Sequence, residues 1–381
     1  MGLCVAALFA ALAITGPYLP LWFADRGLTA PQIGEVLGVA ALLRVGVIPA
    51  WGWAADALGD RRAALALAAL LAAGASLLLP AAPLVAPLFA AVCVQSTMGA
   101  ALAPLADAIA LPLAAAGRLD YGRTRAWGSA SYMVATAGAG ALLGAVGTGA
   151  VPPAISAGYG LAALFAFLMP AAPRIPPAPH ERGSVLRLPA FRLALLATAL
   201  IQGAHAAYYS FAALRWRAAG IPDGLVGLLI AEGIVAEIAL FVWGRGLVER
   251  IGPGRLTMLA AAASVLRWTA LAFVVDPWAL AGLQGLHAGT FALQHLSAMQ
   301  VLARIGPARA ATAQTWLSAL GYSLPGAGLV WLAGTLYARQ PAYAFLAMAA
   351  VAAPALLVGG RLRRAAPRIA DQAARAISRS T

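Results

Sequence analysis

Apolar runs long enough to cross a bilayer recur from one end of this chain to the other. A helix that spans the hydrocarbon core needs about 20 predominantly apolar residues. Runs of that kind fall at roughly 3–23, 31–54, 63–82, 84–113, 124–145, 151–170, 192–214, 224–244, 256–275, 278–303, 312–337 and 341–359, about twelve in all. A backbone in lipid must satisfy its own hydrogen bonds, which leaves helices or closed barrels. Barrel strands would alternate over shorter segments, so the predicted fold is an all-α membrane protein. Of the 381 residues, 62% are hydrophobic and only 10% charged, which leaves no room for a sizeable soluble domain. The least regular spans are the Gly/Ala-rich fifth and those whose outer ends meet near Pro80–Pro87.

A net charge of +13 would suit a nucleic-acid partner, but its distribution points elsewhere. Every one of the 26 basic residues is Arg. With the N-terminus placed inside, twenty fall at inner loops or inner helix ends, among them Arg61, Arg62, Arg118, Arg123, Arg125, Arg250, Arg255, Arg361, Arg363 and Arg364. Only Arg26, Arg215, Arg217 and Arg339 fall outside, while Arg44 and Arg267 lie within spans. This is the positive-inside bias, and it predicts cytoplasmic termini and a bacterial-type inner membrane. No nucleic-acid partner is expected. Cys4 and Cys93 lie in apolar runs and supply neither a disulfide framework nor zinc spacing, so no metal and no cofactor is expected. The first apolar segment lacks a basic n-region and runs on to Pro20 and Trp22, as a retained helix would.

Pro173–Pro189 is the one extended polar stretch, and its prolines resist helix. It predicts an N-terminal six-helix bundle over 1–172, a cytoplasmic linker over 173–190, a second bundle over 191–360 and a cytoplasmic tail over 361–381. An internal repeat supports the halving. The loop after the second span carries Gly52, Asp56, Gly59, Arg61 and Arg62; the loop after the eighth carries Gly244, Glu249, Gly252 and Arg255. Asp56/Gly59/Arg62 and Glu249/Gly252/Arg255 are offset by the same 193 residues. Glycine permits a tight turn there, and the acid and arginine can pair across helix ends. The first loop resembles the signature of the major facilitator superfamily, and the second its weaker C-terminal counterpart. The resemblance implies two pseudo-symmetric six-helix bundles that rock about a central cavity, with Gly52, Asp56, Gly59 and Arg62 as a gating loop.

Ionisable groups inside spans are the candidates for chemistry, since each costs about 2.5–3.5 kcal/mol at bilayer depth on insertion scales. Asp107 precedes the turn near Gly117–Gly122 and Arg125 follows it, so a helical hairpin can bring the two together. Such a pair either locks two helices or opens to grip a polar or anionic solute. Glu237, Arg267 and His287 lie on three consecutive spans, with Gln284, Gln294 and His295 near His287 on its helix. A carboxylate, an arginine and an imidazole so placed could share one proton and tie its binding to that of a solute. His205 and Tyr208 share a helical face that could line a cavity. An aromatic acid would need a cation (Arg125, Arg44 or Arg267) and flat apolar walls such as Tyr18, Trp22, Trp127, Tyr208, Tyr209 or Phe211. Glu35 and Arg44 stand nine residues apart on the second span and do not obviously pair; neither they nor Glu232 receive a role.

The segment D-Y-G-R-T-R-A-W-G-S and the positions of Asp107, Arg125, Glu237, Arg267 and His287 resemble the lactose permease group of oligosaccharide/proton symporters. That group has a proton-carrying glutamate three residues beyond the histidine, where this chain has Thr290. Q-G-A-H-A-A-Y-Y-S-F (Gln202 to Phe211), V-A-E-I (Val235 to Ile238) and L-H-A-G-T-F (Leu286 to Phe291) are similar to the 3-phenylpropionate permease family, in which that threonine is expected. The resemblance implies a monomeric symporter that imports a small aromatic carboxylate with a proton. It places Asp107 and Arg125 on the solute and Glu237, Arg267 and His287 on the proton; Tyr18, His205 and Tyr208 join the solute residues as candidate cavity walls by residue type and helical face. A sugar or nucleoside symporter, a drug/proton antiporter and a non-transporting assembly factor or sensor stay open. No H-E-x-x-H, G-x-S-x-G or phosphate-cradling loop occurs, so an enzyme is not expected.

Overall fold

The computed structural model describes residues 1–82, 85–169, 185–244, 246, 250–305 and 307–365. Most of the expected linker and the tail beyond 365 lie outside the described residues, as does Glu249. Among the described residues every regular element is helical. The elements are α1 Gly2–Asp25, α2 Ala30–Leu58, α3 Arg61–Leu78, α4 Val85–Ala115, α5 Tyr121–Val146, α6 Val151–Phe167, α7 Pro189–Gly203 and α8 Ala206–Ala218. They continue with α9 Asp223–Trp243, α10 Pro253–Phe273, α11 Pro277–Gln284, α12 Leu293–Ile305, α13 Pro307–Trp316, α14 Leu324–Arg339 and α15 Pro341–Ala352. By length and composition, eleven helical segments among the described residues can cross a membrane. This is an all-α, multi-pass membrane protein.

The tenth expected span is not one continuous α-helix. After α11 the chain passes through a π-turn at Ala288–Ala292 before α12 begins. A second π-turn, Leu317–Ser323, separates α13 from α14. A π-turn admits an extra residue and so rotates the side chains on either side of it relative to a straight helix. The first of these widened turns carries Thr290 into the polar centre described below.

The helix starts follow the local sequence. Asp60 caps α3, its carboxylate accepting from the backbone N–H groups of Arg62 and Ala63, and Asp120 caps α5 by accepting from Arg123. Asp60 also pairs with the Arg62 guanidinium at 2.9 Å, which holds its carboxyl below the usual carboxylate range. Arg62 donates a further hydrogen bond to the Met169 carbonyl. The acid seen with Arg62 is therefore Asp60; the side chain of Asp56 lies outside the described residues. Gly59 and Gly252, the paired glycines of the repeat, both adopt left-handed φ (70° and 78°), a conformation that a side chain would strain.

By internal contact the chain divides into two units, Met1–Pro177 with Tyr209–Ala231, and Ala178–Tyr208 with Glu232–Thr381. In the first, α5 and the early turns of α9 meet through glycine. A Cβ at Gly227 would lie 2.8 Å from the Thr136 carbonyl and 2.6 Å from the Tyr18 hydroxyl, and one at Gly140 would lie 2.6 Å from the Asp223 carbonyl. Small residues of this kind let helix backbones approach where no water drives association. Beside them Arg217 forms a two-pronged pair with Asp223 (2.7 and 2.8 Å) and reaches Asp25 at 3.1 Å. Gly227→Val is expected to cost about 1–3 kcal/mol through overpacking. A lowered melting temperature in detergent checks this, with Gly224→Ala as control, since its nearest neighbour would be 3.9 Å away.

Candidate solute and proton site

The second unit is organised around Arg267 of α10, whose side chain is wholly buried. Its Nη1 donates to His287 Nδ1 at 2.9 Å and to the Thr290 hydroxyl at 3.2 Å, while Nη2 donates to Gln284 Oε1 at 2.9 Å. The guanidinium also lies over the Tyr208 ring at 4.4 Å and the Trp268 ring at 5.0 Å. Tyr208 donates its own proton to Gln284 Oε1 at 2.9 Å. Glu237 of α9 approaches this centre at His287. Its Oε2 stands 3.5 Å from His287 Nε2 and keeps 19% of its side chain exposed.

These contacts fix where protons sit. A guanidinium nitrogen can only donate, so His287 Nδ1 must accept. The neutral imidazole therefore carries its hydrogen on Nε2, facing Glu237. His205 is arranged by the same logic. Its Nδ1 meets the Ile201 carbonyl at 3.0 Å and donates to it, and its Nε2 faces the Thr290 hydroxyl at 3.1 Å, whose single hydrogen also has the His287 carbonyl as an acceptor at 3.2 Å. Thr290 thus joins Arg267, His287 and His205 through one oxygen. His287, Phe291 and His295 stack along the same helix, and His295 Nδ1 meets the Tyr322 hydroxyl at 3.2 Å. Gln294 turns away to Thr198 and Thr257.

Two polar groupings lie in the first unit. Asp107 and Arg125 are brought together at 3.9 Å, with the Tyr121 hydroxyl donating to the same carboxylate at 3.1 Å. The pair is loose and accessible, at 35% and 41% exposed, and Arg125 also rests on the Phe9 ring at 4.9 Å. The second grouping is Arg44 with Ser96, Gln95, Thr15 and Tyr159. Tyr18 belongs to neither: it is buried, with its hydroxyl on the Thr136 carbonyl at 2.6 Å. Thr136 lies eleven residues beyond Arg125 on α5, about 16 Å along the axis.

The five expected solute residues are thus distributed. Asp107 and Arg125 form one pair, Tyr18 packs elsewhere in the first unit, and His205 and Tyr208 join the Arg267 centre. The three expected proton residues do meet, Arg267 with His287 and His287 with Glu237. A search for charge in the sequence passes over Gln284 and Thr290, neutral residues that carry as many of the contacts as the histidines do. The pattern that marks them is their spacing from His287, three residues to either side. Among the described residues, no group of three or more His, Cys, Asp or Glu side chains is placed to hold a metal ion.

Spanning helices that carry buried, hydrogen-bonded ionised groups define a polytopic membrane protein with intramembrane polar centres. Residues 4–347 match the MFS_1-like family model, and the chain belongs to that family of major facilitator transporters. It is a transporter, not an enzyme. A protein of Escherichia coli K12 described as a "probable 3-phenylpropionic acid transporter" is 32% identical over 68% of this chain and 69% of its own length. The maltose permease of Geobacillus stearothermophilus is 30% identical over 86% and 84%. Among solved structures, the nucleoside transporter NupG has a TM-score of 0.75 at 16% identity, covering 96% of this chain and 97% of its own. A bacterial homologue of the human lysosomal transporter Spinster, inward-facing and unoccupied, scores 0.76 at 15% identity over 97% and 96%. These two likenesses concern the fold.

Thr290→Val keeps the side-chain volume but removes the hydroxyl shared by Arg267 and His205. The expected cost is about 1–3 kcal/mol from buried donors and acceptors left unmade. Thermal unfolding in detergent checks it against Thr335→Val, whose hydroxyl serves only the Trp331 carbonyl of its own helix.

Proposed function

We propose that this protein is a proton-coupled symporter that imports a small aromatic carboxylate by alternating access, as a monomer, across a bacterial cytoplasmic membrane. In this reading both termini are cytoplasmic and the halves 1–172 and 191–360 move about the 173–190 linker, with Gly52, Asp56, Gly59 and Arg62 as the gating loop. The observation that carries it is the chain Glu237, His287, Arg267. With His287 Nδ1 occupied by Arg267, a proton arriving from water is received most simply by Glu237, the exposed end of the chain. Arg267 and His287 hold that carboxylate's surroundings in place and act as positioning residues. Asp107 and Arg125, accessible and loosely paired, lie on the solute's route, and Tyr208 and His205 link solute and proton events through Gln284 and Thr290. Tyr18 acts on the same route through its place between α5 and α9. The solute class rests on the E. coli relative and on the aromatic surroundings of Arg267.

The maltose permease relative favours a second reading, a sugar symporter. Uptake into proteoliposomes separates the two, with labelled 3-phenylpropionate, maltose and a nucleoside compared under an imposed pH gradient. A gradient of about one pH unit (acid outside) supports about tenfold accumulation per proton. The expected result is concentrative uptake of 3-phenylpropionate that a protonophore abolishes. Glu237→Gln is expected to lose accumulation while retaining solute exchange at equal concentrations on both sides. Accumulation of maltose instead would replace the acid with a sugar as the solute. Gradient-independent uptake of every solute tested would remove proton coupling.

A further inference from the structure

We propose that Arg44 is the anchor for the carboxylate of the transported acid, an assignment that rests on the proposed function and adds a site to it. Arg44 sits midway along α2, fourteen residues from Ala30 and fourteen from Leu58. At that depth an arginine is kept at a cost of about 2.5–3.5 kcal/mol on insertion scales. Three other guanidinia answer such a cost with a counter-ion or with several side-chain acceptors, although among the described residues the Arg267 Nε has no hydrogen-bond partner. Arg217 has two aspartates, Arg125 has Asp107, and Arg267 has three side-chain acceptors and two rings.

Arg44 has neither. Its Nε and Nη2 both converge on one neutral oxygen, Ser96 Oγ of α4, with Nε at 3.0 Å. Among the described residues its Nη1 has no hydrogen-bond partner and no carboxylate pairs with it. The nearest acid on its own helix, Glu35, is nine residues away, about 13 Å along the axis and on the opposite face. The surroundings are donors and neutral acceptors. Gln95 is wholly buried with Oε1 unpartnered and Nε2 on Thr15 Oγ1 at 3.3 Å. The Tyr159 hydroxyl stands beside them, over Gly99, where a Cβ would come within 2.3 Å of it. An unpartnered buried amide oxygen beside an arginine without a counter-ion describes a site that lacks one planar group. A carboxylate or carboxylic acid supplies it: one oxygen takes the free edge of the guanidinium, and the protonated form can donate to Gln95.

There is space for the rest of such a molecule. A cleft between α2 and α4 is lined by Ile48, Gly52 and Ala55 on one side and Ala101, Pro104 and Ala108 on the other. Ile48 lies one turn from Arg44, about 6 Å along α2, comparable to the short arm between a carboxylate and an aryl ring. The walls are small residues and proline, as a flat ring requires, apart from Arg61, which also lines the cleft and donates to the Ala108 carbonyl.

The test uses the full chain in nanodiscs, with binding of 3-phenylpropionate compared against its neutral amide, 3-phenylpropionamide. Arg44→Gln is expected to weaken the acid by about 10- to 100-fold, the scale of one charge-assisted hydrogen-bonded pair, and to leave the amide within about threefold. Ser96→Asp works in the opposite direction on the fold. It gives Arg44 a resident counter-ion, so the acid should weaken while the melting temperature holds or rises. That variant decides the matter if Arg44→Gln does not fold. Acid and amide weakening together in Arg44→Gln would reduce the residue to packing and overturn the site. Unchanged acid binding in either variant would overturn it while the transport reading stands. A wild type that neither binds nor accumulates 3-phenylpropionate would remove the proposed solute and this site with it.

Discussion

Water does not reach the depth of Arg267 to solvate a guanidinium, so the protein must supply what water would. The second unit is built to that requirement. Three helical segments deliver acceptors from different directions: Gln284 from α11, His287 from the turn after it, and Thr290 from the π-turn that follows. Tyr208 and Trp268 close the faces of the cation with their rings. The same stretch presents Gln284, His287 and Thr290 to one arginine and sends Gln294 to Thr198 and, farther along α10, to Thr257, with the widened turn at Ala288–Ala292 between them.

The first unit answers the same physical problem less completely, and the difference is informative. Its helices close on one another through glycine and alanine, which removes side-chain bulk but supplies no hydrogen bonds. Arg217 closes its own account with Asp223 and Asp25. Arg44 does not, and a single serine hydroxyl shared between two nitrogens is a weak substitute for a carboxylate. A half-buried charge left in that condition is costly unless something transient completes it.

Much of this was legible from residue pattern alone, because lipid imposes simple rules. Length and apolarity marked the spanning helices, and the 193-residue repeat foretold the matching left-handed glycines at Gly59 and Gly252. The meeting of Glu237, Arg267 and His287 was legible because charges within spans are few and must find one another. Less legible were the partners that carry no charge. Gln284 and Thr290 stand out in sequence only by their spacing from His287, and Ser96 looks like an ordinary small residue of a helix until a three-dimensional neighbour gives it work. The break at the tenth span escaped for a related reason: no proline or glycine pair announces a π-turn at Ala288–Ala292, which is set by tertiary contacts to Arg267 and His205. Asp60 was legible in principle, since an acid directly before a helix is an N-cap signal.

The geometry of the second unit also bears on how a proton and a solute could be linked, in the proposed reading. Arg267 is held by side chains from several segments and cannot shift without breaking most of them at once. Glu237 touches the centre at one point, the 3.5 Å approach to His287 Nε2, and remains partly accessible. The movable member of the chain is therefore the carboxylate, not the arginine. Protonating Glu237 removes its attraction for the His287 Nε2–H and frees that hydrogen for another acceptor, while Arg267 keeps Nδ1 occupied throughout. A ligand can shift a conformational equilibrium only by as much as its affinities for the two states differ. A rigid cation beside a loosely held carboxylate supplies such a difference from one proton, because only one contact has to change.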